Sequence, residues 1–274
     1  MLAQIVAEVL TIDTADVLVY SSDTDLTPFD VGAYASSTTY VSGGAARKAA
    51  LLVRDQVLQV AAGMSGVPAT ELALLDRRIV GHGVDLSLSE VATHSLYQGE
   101  MLQIGATASH TTEQSPPPFG AHFAWVEVDT ETGIVRVLEY VAAVDCGVAI
   151  NPALAEGQVE GAIANALSYA LTEELLFDEK GRCTNPTFLH YKISSIRDMP
   201  KVKAILVPTH EPTGPFGAKS VSEIGINGAL PAISNAIYDA VGVRLTRSPF
   251  TPERVLAALA AKVREADGES NPAS

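Results

Sequence analysis

Hydrophobic positions near the start of the chain repeat at intervals of three and four. Ile5, Val6, Val9 and Leu10 share one side of a helix, and from about Gly44 to Ala62 the positions Ala46, Ala50, Val53, Val57 and Val60 form a longer helical face. Between them the pattern predicts a short strand, Asp16 to Ser21, and then a polar loop over residues 22–44. A loop of ~20 residues without structure of its own is uncommon in a compact domain and is usually functional. Leu72 to Leu75 and Arg78 to Val80 flank Asp76-Arg77 as a hairpin, and Ser87 with Glu90 has the form of a capping box that opens a short helix. No capping residue precedes the first helix, so the chain reads as if it begins inside an element of something longer.

The run Gln114-Ser115-Pro116-Pro117-Pro118 is the strongest boundary signal. Beyond it, Ala121 to Val128 and Ile134 to Val144 alternate as strands about the turn Asp129 to Gly133. Asn151-Pro152 supplies a cap and a first-turn proline for a helix over 151–175, with Val159, Ile163, Ala166, Leu167, Ala170 and Leu171 on its apolar face. Further helices are predicted from Pro231 to Val241, stopped by Gly242, and from Thr251 to about Glu265. Strands and helices in mixed order predict an α+β fold of two mixed α/β subdomains, 1–113 and 119–265, with a disordered polar tail over 266–274.

Composition narrows the function. The 274 residues carry a net charge of −14, and no cluster of Lys and Arg offers a phosphate backbone the counterion release it requires. The two cysteines, Cys146 and Cys183, cannot supply the four thiolates of an iron–sulfur cluster, and Cys146 is expected to be a buried small hydrophobe. The six histidines lack metal-binding spacing, so no side-chain metal site is predicted. Apolar runs fall well short of the ~20 residues that span a bilayer, and the start lacks a basic n-region, so a cytoplasmic protein is expected.

Three segments rich in small and polar residues remain as candidate chemistry. Ser36-Ser37-Thr38-Thr39, ahead of a helix, could cradle an anion with hydroxyl and N–H groups, or could be a polar capped loop. In Gly157-Gln158-Val159-Glu160-Gly161, two glycines one helical turn apart imply that something approaches closely, a ligand or another helix, and Gln158 could bond a ligand oxygen or face water. In 214–228, Ala218 spoils the spacing of a phosphate loop. There Glu223, between Val221 and Ile224, reads as a general base with apolar neighbours or as a salt-bridged carboxylate. No G-x-S-x-G elbow is present.

Together, Asp25 through Ser36, Asn151-Pro152 through Gly161, and Gly217-Ala218-Lys219-Ser220-Val221-Ser222-Glu223 resemble the cofactor loop, the N-P-x-x-x-x-G-Q-V-E-G helix and the catalytic loop of the molybdenum-binding subunit of the xanthine oxidase family of molybdenum hydroxylases. The resemblance covers the C-terminal portion of that subunit. It implies that Glu223 is the catalytic base and that the Gln158 amide approaches the metal's oxygen. It also implies that Ser36, Ser37, Thr38 and Thr39 hold the pterin and its phosphate, and that Lys219 and Ser222 flank the glutamate. The family often has Arg where Ser37 stands and Gly where Ser222 stands, and the second departure resembles bacterial xanthine dehydrogenases. The implied cofactor is molybdenum-molybdopterin in its cytosine dinucleotide form. The implied substrate is an N-heterocycle, xanthine or hypoxanthine, hydroxylated with a water-derived oxygen. Nicotinate hydroxylation, or a non-catalytic partner-binding fragment, are the alternatives. The implied partners are the N-terminal portion of the molybdenum subunit, a 2Fe–2S subunit and an FAD subunit, with apolar surface left exposed where the N-terminal portion would pack.

Overall fold

The computed structural model describes residues 1–99 and 101–267 and divides into two compact units. Unit 1 holds Met1–Pro117 and His210–Ser220; unit 2 holds Pro118–Thr209 and the chain from Val221 onward. The loop 214–228 is therefore shared, with Lys219 in unit 1 and Ser222 and Glu223 in unit 2. Of the predicted tail, Ala266 still belongs to the last helix, and residues 268–274 lie outside the described residues.

In unit 1, helix α1 (Leu2–Leu10) buries Ile5, Ala7 and Val9, and helix α2 (Val41–Ser65) buries Ala50, Val57 and Ala61. Helix α2 starts three residues before the predicted Gly44, because the carbonyls of Ser37 and Thr38 already accept from the amides of Val41 and Gly43. Strands β1 (Ala73–Leu75), β2 (Arg78–Gly81) and β3 (Val84–Ser87) form an antiparallel sheet in that order, of which β3 was not anticipated. Helix α3 (Leu88–Tyr97) opens on the predicted capping box: the Ser87 hydroxyl accepts from the Glu90 amide and the Glu90 carboxylate accepts from the Ser87 amide. The predicted strand Asp16 to Ser21 does not form. Thr14–Asp16 is a 3-10 turn capped by Asp13, and beyond it Leu18 and Tyr20 are exposed at 76% and 72%. No strand among the described residues pairs with this segment, and apolar alternation cannot make a strand without a partner for its backbone groups.

In unit 2, β4 (Phe119–Val128) and β5 (Val135–Asp145) pair antiparallel and β6 (Lys201–Leu206) adds parallel to β5. Helices α4 (Pro152–Leu171) and α6 (Ala229–Val241) supply Val159, Ile163, Leu167, Ile233 and Ile237 to a core shared with Tyr140, Ala142 and Val144 of β5. Asn151 caps α4 by accepting from the Leu154 amide at 3.0 Å, as the sequence predicts, and the helix ends four residues before the expected 175. Helix α5 (Ser222–Asn227) was not anticipated; α7 (Pro252–Ala266), capped by Thr251, was. A bulge in β5 lets Trp125 face Glu139 and Val126 face Val137, skipping Leu138. Inward positions therefore change parity, from Val135 and Val137 to Tyr140, Ala142 and Val144. The outward side leaves Phe119, Phe123 and Trp125 exposed, in keeping with the expected apolar surface.

Helix α5 has only six residues and cannot be stable on local bonds. It is fixed by close approach to α4: a Cβ at Gly225 would lie 2.9 Å from Ala162 Cβ and 3.3 Å from Val159 Cα. Both are rigid parts of α4, so Gly225→Ala is expected to destabilise the chain by ~1–3 kcal/mol in urea unfolding. Gly157→Ala, on the open face of α4 with nothing within 4 Å, is expected to stabilise it by ~0.5–1 kcal/mol. Equal effects of the two substitutions would show that the approach at Gly225 is not a constraint.

Candidate functional site

The hydroxyl-rich loop of unit 1 is wound into turns rather than extended. Ala35 and Ser36 have positive φ of 49° and 55°, and the Ser37 amide donates to the Tyr34 carbonyl at 3.1 Å. With the Val41 and Gly43 amides also turned inward, several N–H groups that an anion cradle would use are engaged by the turn itself. Ser36, Ser37, Thr38 and Thr39 are half-buried, and the Ser37 hydroxyl donates within the loop to the Gly32 carbonyl at 3.4 Å. Two anchors hold it. Asp30 accepts from the Gly32 amide at 2.8 Å and from the Ser42 hydroxyl at 2.7 Å, and the buried Tyr40 bonds the Thr213 hydroxyl at 2.6 Å. The Ser42 hydroxyl first, then the Gly32 amide, hold the Asp30 carboxyl below its ordinary range.

Thr213 belongs to the returning segment of unit 1, which folds tightly. Phe216 has a φ of 52°, and the Gly217 carbonyl accepts from the Glu211 amide at 3.0 Å. Lys219 follows, only 8% exposed, its ammonium donating to the Pro117 carbonyl at 3.3 Å. A buried cation with a long stem is a fixed positive charge, whereas a surface lysine would be a mobile one.

In unit 2 the predicted residues converge from positions 64 apart: the Ser222 hydroxyl donates to Gln158 Oε1 at 2.7 Å. With that oxygen engaged, the Gln158 side-chain N–H₂ is the end that can donate to a ligand. Gly157 and Gly161 lie on the same exposed face of α4, and a Cβ at either would meet nothing within 4 Å. Packing against another helix of the chain therefore does not explain these glycines. Glu223 stands on the first turn of α5 and is solvent-exposed, so Val221 and Ile224, which pack into the core, do not enclose it as the local sequence suggested. Among the described residues no group of three His, Cys, Asp or Glu side chains is placed to hold a metal. Cys146 is buried in unit 2 and Cys183 is free.

One residue near Glu223 escaped the sequence reading. His122 on β4 bonds the Tyr140 hydroxyl at 2.9 Å and the Ile224 carbonyl at 3.1 Å. Its place on the inward side of a strand that alternates from Ala121 was the available signal.

Comparison with known proteins gives these positions a context. The model of the molybdopterin cofactor-binding domain matches residues 1–200, which include the hydroxyl loop and Gln158 but stop short of Glu223. The chain is 41% identical over 261 residues to the probable hypoxanthine oxidase XdhD of Escherichia coli K12, covering 94% of this chain and 27% of that protein. It is 37% identical over 260 residues to the xanthine dehydrogenase molybdenum-binding subunit of Escherichia coli O157:H7, covering 92% of this chain and 35% of that subunit. It superposes with a TM-score of 0.86 and 30% identity on quinoline 2-oxidoreductase from Pseudomonas putida 86, covering 94% of this chain and 34% of that one. The chain thus spans about a third or less of the length of these relatives.

The Asp30 anchor makes the loop sensitive to acid. Its folded-state pKa is depressed, so the stability it contributes is present above the unfolded value of about 3.9 and is lost as pH falls through the lower folded value. Proteolysis or amide exchange over residues 30–42 is expected to accelerate below about pH 4 in the parent chain. Asp30→Asn is expected to exchange fast already at pH 6; a variant protected like the parent would remove Asp30 as the anchor.

Proposed function

The chain belongs to the molybdopterin cofactor-binding domains of the xanthine oxidase family of molybdenum hydroxylases, and from that premise we propose that it carries the catalytic base and cofactor contacts of a heteromeric enzyme that hydroxylates an N-heterocycle. The observation that carries this reading is the 2.7 Å bond from Ser222 to Gln158, because it ties the turn bearing Glu223 to the helix bearing the donor amide. The open face at Gly157 and Gly161 supports it, since glycine leaves room there for a ligand to lie against the backbone.

In this reading Ser36, Ser37, Thr38 and Thr39 hold the pterin and its phosphate through their hydroxyls, and Lys219 places a positive charge on the same loop system. Gln158 donates its side-chain amide to a cofactor oxygen. Ser222 orients that amide by occupying its other end. The cofactor, when bound, supplies the two-electron oxidant for the substrate carbon. Glu223 accepts the proton of the water-derived oxygen nucleophile and holds it while that oxygen adds to an electron-poor ring carbon. The nucleotide form is cytosine dinucleotide, an expectation that rests on the resemblance to the bacterial members of the family. 2Fe–2S and FAD centres on partner chains would take up the electrons; the two cysteines of this chain are too few for the four thiolates of a cluster. The enzyme works in the cytoplasm; no helix among the described residues is long and apolar enough to cross a membrane.

Xanthine or hypoxanthine is the favoured substrate, supported by the Lys219-Ser220-Val221-Ser222-Glu223 variant and by the two Escherichia coli relatives. The likeness to quinoline 2-oxidoreductase favours a pyridine-type ring such as nicotinate as the second reading. Turnover of a panel of purines and pyridines with an artificial electron acceptor separates the two.

Glu223→Gln in the assembled enzyme is expected to lower kcat by roughly a thousandfold, the scale of losing a general base, with molybdenum and pterin content unchanged. Parental turnover would show that Glu223 is not the base. Gly157→Ala is expected to do the reverse: normal or raised stability of the chain with reduced cofactor content, measured by metal analysis.

A further inference from the structure

Helix α5 ends with its last carbonyls beyond reach of its own N–H groups, as every helix does, and two side chains from elsewhere in unit 2 meet them. His122 Nε2 lies 3.1 Å from the Ile224 carbonyl, and the Tyr169 hydroxyl of α4 donates to the Ile226 carbonyl at 3.2 Å. A carbonyl oxygen only accepts, so Nε2 carries the hydrogen; the neutral ring then has its lone pair on Nδ1, and the Tyr140 hydroxyl donates there at 2.9 Å. Burial keeps this arrangement neutral: it pushes His122 below its ordinary value against the pull of the Ile224 carbonyl. It also pushes the Tyr140 hydroxyl well above its own, with Tyr169 adding to the effect. Gly228 lies close against the ring. A Cβ at Gly228 would lie 2.2 Å from its Cδ2 and 2.4 Å from its Cγ, so only glycine there admits the imidazole.

We propose that His122 is a positioning residue for Glu223: its Nε2–H holds the Ile224 carbonyl and so fixes the turn on which the neighbouring carboxylate stands. The assignment rests on reading Glu223 as the base, but the brace itself is a property of the chain without cofactor. The order of dependence is Tyr140 to His122 to Ile224 to Glu223. The bulge in β5 is what turns Tyr140 inward at its start. His122 touches no reacting atom and acts through the backbone.

The test is amide exchange in the full chain together with kinetics of the assembled enzyme. His122→Phe, which keeps the ring volume but cannot donate, is expected to speed exchange of the Ile226 and Asn227 amides about tenfold, the loss of one buried hydrogen bond, with α4 exchange unchanged. Gly228→Ala, which displaces the ring, is expected to do the same. His122→Gln, whose side-chain amide can donate to the same carbonyl, is expected to bring exchange back to within about threefold of the parent. In the enzyme, His122→Phe is expected to lower kcat at least tenfold, roughly 1.4 kcal/mol of barrier, with KM within twofold, and His122→Gln to recover most of it. Unchanged α5 exchange in His122→Phe, or equal loss in the Phe and Gln variants, overturns the proposal. Parental turnover in Glu223→Gln instead overturns the base reading while leaving the exchange result to decide the brace.

Discussion

Where α5 meets α4, no side chain fits between them. The Cβ that Gly225 lacks would fall within 3.3 Å of Val159 Cα, one residue from Gln158. This approach brings Ser222 to the Gln158 amide and, together with the bonds from His122 and Tyr169 to its carbonyls, holds the six-residue helix that bears Glu223. Three elements distant in sequence, β4, α4 and the 221–228 turn, are locked by contacts that each need a specific small or polar residue. The hydrophobic core beneath, centred on Tyr140, Val159, Ile163, Ile233 and Ile237, supplies the platform, and burying each large apolar side chain contributes ~1.5–3 kcal/mol to it. The polar contacts above the core join Ser222 to Gln158 and His122 to the Ile224 carbonyl.

The two faces of α4 divide structure from chemistry. One face, Val159, Ile163, Ala166 and Leu167, is buried on the sheet. The other bears Gly157, Gln158 and Gly161 on open space, where alanine would make a better helix. Among the described residues nothing requires glycine at these positions, which is why the proposed function places a ligand there. On the outward side of β4, Phe119, Phe123 and Trp125 are likewise exposed.

Local signals made much of this legible before any coordinates. Ser87-Glu90, Asn151-Pro152 and Thr251-Pro252 mark helix starts by bonds within three residues, and all three caps form. The hairpin at Asp129 to Gly133 follows from its turn chemistry in the same way. What failed depended on distant partners. β6 exists because β5 lies parallel to it some sixty residues earlier, and the Asp16 to Ser21 segment is not a strand because no strand among the described residues receives it. Helix α5 is too short for a periodic signal. At the site, residue identities were readable at Gln158, Ser222 and Glu223, but their joining was not: a hydrogen bond spanning 64 positions has no local trace. His122 was passed over among six histidines because its meaning lies in Ile224 and Tyr140, reached only through the fold. The exposure of Glu223 reverses the enclosure that its apolar sequence neighbours implied, since those neighbours point into the core and the carboxylate points away.

In the proposed function, the turn locked onto α4 presents Gln158 and Glu223 together to a molybdenum cofactor. Anomalous scattering at the molybdenum edge, from crystals of the assembled enzyme, tests it most directly. One molybdenum peak beside both the Gln158 amide and the Glu223 carboxylate is expected. A molybdenum peak remote from either side chain would contradict it.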